Sequence, residues 1–228
     1  YGVHEQSKRL HLVMGMAVAS AYAVILAPDY TILVAGLGVL TAATSLHIWF
    51  AERPGSHRAG FQYGVMNMAG WLAIWVGFAL HAGGQEPSAL SPFSTASAGF
   101  PEYLILGGAS ICTGLVPLHT WLTSGVQETT PRGGLAAVLL GPLCGVYVLG
   151  RLYAGFPELV ILGLFTALIA ACFSLMANDI RRVAAYVAVS QVGVVAAGFG
   201  YGNGMAVNGA ACLGFVHALQ MCVLFMCM

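Results

Sequence analysis

A few histidines and hydroxyl groups inside apolar stretches are the residues of this chain that could move a proton. His217 lies deep in the last apolar stretch, whereas His47 and His119 lie nearer the ends of theirs. Imidazole titrates near neutral pH, so it can both accept and release a proton. Tyr186 and Ser190 lie in the preceding stretch and could extend a hydrogen-bonded chain. These five side chains are the candidate proton relay, although a single buried histidine is more often a packing residue.

The other reactive side chains suggest no enzyme, metal site or cofactor. The six cysteines all fall in apolar stretches, without a CxxC pair or a Cys/His metal spacing. We interpret them as small apolar packing residues. Haem ligation by the three histidines is disfavoured, because two haems would require a fourth histidine at membrane depth. No nucleophile–base pair or phosphate loop is present, so a stand-alone enzyme is not expected.

The composition places these side chains in a lipid bilayer. Hydrophobic residues make up 59% of the chain and charged residues only 7%, against roughly 25% charged residues in soluble domains. The formal net charge is zero, so nucleic acid is not an expected partner.

Eight stretches are long enough to cross a bilayer, which requires roughly 20 apolar residues. They must be helices, because lipid cannot satisfy an open backbone. The spans are predicted near residues 10–27, 31–50, 61–80, 103–122, 133–150, 159–176, 183–199 and 206–228. The sequence therefore predicts an all-α, polytopic transmembrane helix bundle, with residues 1–228 as a single membrane domain.

The basic residues set the orientation of this bundle. With eight crossings, Arg151 is the only basic residue on one side. The other side carries Lys8, Arg9, Arg53, Arg58, Arg132, Arg181 and Arg182. By the positive-inside rule that side is cytoplasmic, which predicts a multi-pass protein of the inner (cytoplasmic) membrane. We also expect a longer polypeptide, because the chain begins without methionine and ends inside an apolar run.

Three segments carry recognisable motifs, at residues 115–151, 178–193 and 217–225. Pro117 lies late in an apolar helix, where a proline removes a hydrogen bond and predicts a broken helix. The second segment reads NDIRRVAAYVAVSQVG and the third reads HALQMCVLF. The motif positions that we single out are Pro117, Trp121, Asp179, Arg181 and Arg182.

In their order and spacing these motifs resemble the antiporter-like membrane subunits of respiratory complex I, its L, M and N subunits. The same superfamily includes Mrp cation/proton antiporters and the membrane subunits of energy-converting hydrogenases. The resemblance implies an antiporter-like, proton-conducting transporter fold within a multisubunit ion-translocating or redox complex. Other membrane and peripheral subunits are the implied partners, and protons or Na⁺ the implied ions. Any enzymatic role would be that of a non-catalytic subunit of a proton-translocating oxidoreductase complex.

The charges that this family is thought to use for pumping are missing here. Matching the motifs puts the expected glutamate at or near Gly36 and the expected lysines near Cys112, Leu143 and Met221. A thiol in apolar surroundings stays neutral, so Cys112 is a poor substitute. All eight carboxylates fall in loops or at helix ends: Glu5, Asp29, Glu52, Glu86, Glu102, Glu128, Glu158 and Asp179. We therefore interpret the chain as a scaffold with degenerate pumping residues.

Two other functions remain open. An active proton or sodium channel would use water chains together with His217 and hydroxyls such as Ser110, Thr113 and Ser190. The alternative is a membrane subunit of an energised inorganic-carbon (CO₂/bicarbonate) uptake complex coupled to a cation gradient. The segment Ser45–Pro54 faintly resembles that branch of the superfamily.

Overall fold

The computed structural model describes residues 2–83 and 90–228, with side chains from Lys8 onward. This part of the chain consists of nine α-helices and contains no β-strand, so the predicted all-α class is confirmed. The helices are α1 Gly2–Ile25, α2 Tyr30–Trp49, α3 Ser56–Ala82, α4 Phe100–Thr113, α5 Thr120–Gln127, α6 Pro131–Leu152, α7 Pro157–Met176, α8 Ile180–Tyr201 and α9 Gly204–Met226.

Seven of these helices are long and apolar enough to cross a membrane: α1 from Lys8 onward, α2, α3, α6, α7, α8 and α9. Their outer faces carry large exposed apolar side chains, such as Ile161 and Leu168 on α7. An exposed face of this composition requires lipid or another apolar surface against it. The chain is therefore a multi-pass membrane protein.

The predicted span at residues 103–122 is interrupted in the structure. Helix α4 ends at Thr113, α5 begins at Thr120, and neither is long enough to cross a bilayer alone. Gly114 ends α4 in the left-handed region with φ +80°, a conformation that favours glycine. The predicted break near Pro117 is confirmed, but α4 already ends at Thr113, four residues before the proline.

Glycines bring neighbouring helices into backbone contact. A Cβ at Gly108 of α4 would lie 2.5 Å from the carbonyl oxygen of Gly70 in α3. A Cβ at Gly193 of α8 would lie 2.7 Å from the backbone nitrogen of Ala167 in α7. Contacts this close are typical of membrane helices that associate through small residues. Two pairs, α3 with α4 and α7 with α8, are thus tightly joined.

The carboxylates whose side chains the structure describes lie at helix ends or in turns. The least exposed of them, Glu102, lies in the first turn of α4. It accepts a hydrogen bond from the Gly99 backbone at 2.7 Å and contacts His81 Nδ1 at 2.5 Å. Glu5 and Glu86 are outside the described side chains.

Candidate functional site

The break between α4 and α5, at residues 114–119, is bound to a neighbouring helix through its backbone. The Val116 N–H donates to Thr166 Oγ1 of α7 at 3.1 Å, and Thr166 is fully buried. The Gly114 N–H donates to the carbonyls of Ser110 and Ile111, so the last turn of α4 is closed. The polar backbone exposed by the break is thereby satisfied inside the protein, as the membrane interior requires.

Two of the predicted relay residues meet beside this break. His119 precedes the first residue of α5, and its ring centroid lies 5.9 Å from that of Tyr186 on α8. Tyr186 in turn stacks on Phe173 of α7 at 5.5 Å. His119 Nδ1 is buried and has no hydrogen-bond partner among the described residues. The imidazole thus packs against Tyr186, and its buried Nδ1 is unpaired within the described part of the chain.

Ser190 serves a packing contact in the structure. Its hydroxyl donates to the Ala167 carbonyl of α7 at 2.9 Å. This bond crosses the α7–α8 contact beside Gly193, where the backbones approach closely. The hydroxyl proton is therefore engaged between these two helices.

His217 is the most isolated of the candidate relay residues. Its side chain is 0% exposed, and neither ring nitrogen has a hydrogen-bond partner within the described part of the chain. Met221, one turn later, and Phe225 share its buried face of α9. Leaving a buried polar group unpaired costs about 1–3 kcal/mol. The described residues therefore supply no hydrogen-bond partner for this buried imidazole.

His47 lies apart from these groups, at the end of α2 on the side rich in arginine. It is 6% exposed, and its Nδ1 has no partner among the described residues. A Cβ at Gly133 of α6 would lie 3.0 Å from this nitrogen. No hydrogen bond joins His47, His119 and His217 to one another in the described residues.

The positions expected to carry pump charges are neutral and closely packed. A Cβ at Gly36 would lie 2.9 Å from Val24 Cγ2 of α1, so α1 occupies the space that a glutamate would need. Cys112 is buried, with its Sγ 3.7 Å from the Asn67 carbonyl oxygen. Met221 is also buried, and Leu143 is half-buried.

A cluster of neutral polar groups that the sequence analysis missed lies next to Cys112. Tyr63 of α3 is 1% exposed and packs edge-to-face on Trp121, with ring centroids 4.8 Å apart. Asn67 Nδ2 donates to the Tyr63 carbonyl at 3.1 Å, and Thr44 Oγ1 donates to the Leu40 carbonyl at 2.7 Å. The four-residue spacing of Tyr63 and Asn67 in an apolar helix is the signal that could have revealed them.

Basic residues, two of them from the motifs, lie near the C-terminal end of α5 and the start of α8. Asp179 Oδ1 accepts from the Arg181 backbone N–H at 3.2 Å and caps α8. Arg181 Nη1 donates to the Thr129 carbonyl at 2.8 Å, while Arg182 is exposed. Arg53 Nη1 donates to the Gln127 carbonyl at 3.4 Å. Cations at a helix C-terminus are favourable, and these two guanidinium groups hold the end of α5.

A polytopic bundle with a broken helix bound through its backbone defines the class of antiporter-like membrane proteins. The family described as NADH:quinone oxidoreductase/Mrp antiporter, TM matches residues 27–228. The chain belongs to this family, as the sequence motifs predicted.

Relatives of known identity agree with this assignment. The NADH-ubiquinone oxidoreductase chain 5 of Chlamydomonas reinhardtii is 31% identical over 159 residues, covering 68% of this chain and 28% of that protein. The F(420)H(2) dehydrogenase subunit L of Methanosarcina mazei is 31% identical over 134 residues, covering 54% of this chain and 20% of that protein. The chain therefore spans less than a third of the length of these curated relatives.

Two solved structures share the fold. The structure of the Mrp complex from Dietzia sp. DQ12-45-1b matches with a TM-score of 0.82 and 23% identity, covering 94% of this chain and 25% of that one. The membrane-bound sulfane sulfur reductase, an archaeal respiratory membrane complex, matches with a TM-score of 0.78 and 23% identity, covering 94% and 39%.

Proposed function

We propose that this chain is the membrane-embedded part of a subunit in a multisubunit ion-translocating or redox complex of the inner (cytoplasmic) membrane. Support comes from the relatives, whose names describe subunits of an NADH-ubiquinone oxidoreductase and of an F(420)H(2) dehydrogenase. Other membrane and peripheral subunits are the proposed partners. Within that complex the chain acts as scaffold more than as ion conductor.

The neutral packing at the expected pump positions is the observation that carries the scaffold role. A charge at membrane depth costs several kcal/mol, so pumping families retain such charges for transport. Here Gly36 is filled by Val24, and Cys112 is buried against Asn67. A lysine or glutamate at either place would need space that the neighbouring helices occupy.

His217 supports a second candidate function, a proton relay through α9. A buried imidazole with both nitrogens unpaired in the described residues can exchange protons with water that reaches it. The same substitution distinguishes the two functions. His217→Ala in the assembled complex should leave proton uptake at the level of the unaltered complex if the chain is a scaffold. A large loss of uptake with assembly intact would overturn the scaffold function, and His57→Ala, at an exposed position of α3, is the matched control.

Native copurification tests the complex itself. We expect iron–sulfur and quinone-binding subunits to accompany the full-length protein in mild detergent. Copurification of a soluble, carbonic-anhydrase-like zinc protein would instead favour inorganic-carbon uptake, the alternative raised by the segment Ser45–Pro54. Identification of the bound subunits by mass spectrometry decides between these outcomes.

A further inference from the structure

A cleft of about 590 Å³ opens on the arginine-rich side of the bundle. It lies between the first described turns of α1, the end of α2 and the start of α6. The lining residues that define its chemistry are Leu10, Met14, His47, Glu52, Arg132 and Leu135. The volume falls in the range of about 300–1,000 Å³ that small-molecule sites occupy.

The lining combines apolar walls with charged groups at the mouth. Leu10 and Met14 of α1 and Leu135 of α6 all line the cleft and give it an apolar wall that suits hydrocarbon. Arg132 and Glu52 are exposed, and no salt bridge joins them in the described residues. One positive and one negative side chain, not neutralised by each other, are therefore presented at an apolar opening.

Arg132 lies at the N-terminus of a helix, where the backbone dipoles contribute a further partial positive charge. It lies in the first turn of α6, which Thr130 caps by accepting from the Gly133 N–H at 3.3 Å. A helix N-terminus carries a partial positive charge that favours a phosphate. His47 adds an independent observation, because this cleft-lining side chain is 6% exposed and its Nδ1 is unpaired in the described residues.

Glu52 is presented by an unusual backbone conformation. Its φ is +53°, in the left-handed region that favours glycine. The turn between α2 and α3 thus holds a carboxylate at a position where a non-glycine residue is strained. The carboxylate would repel a simple anion and attract an ammonium group. The charge pattern therefore fits a headgroup that carries both signs.

We propose that this cleft binds one zwitterionic phospholipid. The phosphate lies against Arg132 and the N-terminus of α6, the ammonium against Glu52, and the first acyl carbons against Leu10, Met14 and Leu135. The position on the arginine-rich side, where the bundle meets the headgroup layer, matches this ligand. His47 is the single candidate relay residue among the residues that line the cleft, and the proposed headgroup contacts are made by Arg132 and Glu52. Lipid binding can therefore be tested independently of ion movement.

Lipid retention by the full-length protein in its native complex tests the proposal. The complex is delipidated in detergent, titrated with phosphatidylethanolamine vesicles, and its retained lipid is measured by mass spectrometry. Arg132→Gln removes a charge-assisted contact and should weaken binding about tenfold. Arg58→Gln is the matched control, because Arg58 is exposed on the same side and does not line the cleft. It should bind like the unaltered complex.

A second substitution tests the ammonium contact. Glu52→Gln should abolish the preference for phosphatidylethanolamine over phosphatidylglycerol while total phospholipid binding persists. Equal retention by the Arg132→Gln and Arg58→Gln complexes would overturn the proposal. Displacement of the lipid by excess inorganic phosphate would identify a soluble-anion site instead. A crosslink from cysteine introduced at Met14 to another subunit in the lipid-saturated complex would show that protein fills the cleft, which also contradicts the proposal.

Discussion

Two parts of the helix bundle differ in whether their buried polar groups have hydrogen-bond partners. In the paired region, made by α2 up to Thr44, α3 and α4, buried hydroxyl and amide groups donate to backbone carbonyls. The donors include the side chains of Thr44, Asn67, Ser110 and Thr113. In the unpaired region, beside the break and along α9, buried polar atoms have no partner among the described residues. They include His119 Nδ1, Trp121 Nε1, Gln191 Oε1 of the neighbouring α8 and both ring nitrogens of His217. Three further unpaired atoms of the described residues, Asp29 Oδ1, His47 Nδ1 and Thr129 Oγ1, lie near helix ends.

This contrast separates buried polar groups that only stabilise the fold from buried polar groups that could also have a function. A hydroxyl that bonds to a carbonyl of its own helix costs little to bury, because its donor is satisfied. An unpaired buried nitrogen destabilises the fold unless it serves another role. The paired region is also where the family resemblance expects a glutamate and a lysine, at Gly36 and Cys112. Around Gly36 and Cys112 the described side chains are neutral and closely packed, while His47, His81 and Glu102 lie towards the ends of the same helices.

The largest effect is expected from Gly36→Glu, which restores a carboxylate to the paired region. The side chain would have to displace Val24, and its charge would be buried without a cation. We expect a loss of about 4 kcal/mol or more in the free energy of unfolding. Thermal unfolding of the purified protein in detergent measures it, with Gly36→Ala as a smaller steric control. A stable, ion-conducting Gly36→Glu protein would contradict the neutral-core interpretation.

Thr166→Val is expected to have the next largest effect, at the edge of the unpaired region. It leaves the Val116 N–H of the break without a partner, which should cost about 1–3 kcal/mol of stability. Thr113→Val is the matched control, because the Thr113 hydroxyl only adds a bond to the Ala109 carbonyl of its own helix. Equal losses in the two variants would mean that the bond across to α7 does not hold the break.

His217→Leu should change stability in the opposite direction. The substitution removes two unpaired nitrogens and fills the buried space with a side chain of comparable size. We expect a gain of about 1 kcal/mol in the free energy of unfolding, seen as a higher melting temperature. A lower melting temperature would show that His217 bonds to water or to another subunit, and the contrast between the two regions would fail there.

Ser190→Ala is expected to give the smallest effect. It removes one hydrogen bond from α8 to the Ala167 carbonyl, worth about 1 kcal/mol or less. Ser174→Ala, which loses a bond to the Ala171 carbonyl within α7, is the control and should cost less. If Ser190→Ala instead reduces proton uptake by the assembled complex, Ser190 belongs to the relay and not to the packing of the helix pair.

The helical class and the break near Pro117 could be predicted because they depend on local properties. Apolar length requires a helix in lipid, and proline removes a backbone donor wherever it stands. The start of the break at Gly114 was not predicted, since glycine permits a left-handed turn without requiring it. The lack of charged side chains in the interior could also be predicted, because the positions of charged residues along the sequence are sufficient to show it.

The partners of individual side chains could not be predicted. The contact of Arg181 with Thr129 joins residues 52 positions apart, and the sequence carries no local signal of it. That Val24 fills the space at Gly36 depends on how α1 packs against α2. The unpaired state of His217 likewise depends on which atoms the neighbouring helices bring near it. These contacts arise only when the helices pack together. The sequence motifs indicate which residues matter but not which atoms they contact.

The glycine contacts between α7 and α8 have a mechanical consequence. Cβ atoms at Gly163 and Gly200 would lie 2.5 Å and 2.6 Å from backbone nitrogens of the opposite helix, so the two helices cannot slide without separating. The two helices therefore form one rigid pair, and Thr166 of α7 links this pair to the Val116 backbone. A displacement of α7 would therefore act on the break between α4 and α5 through this hydrogen bond.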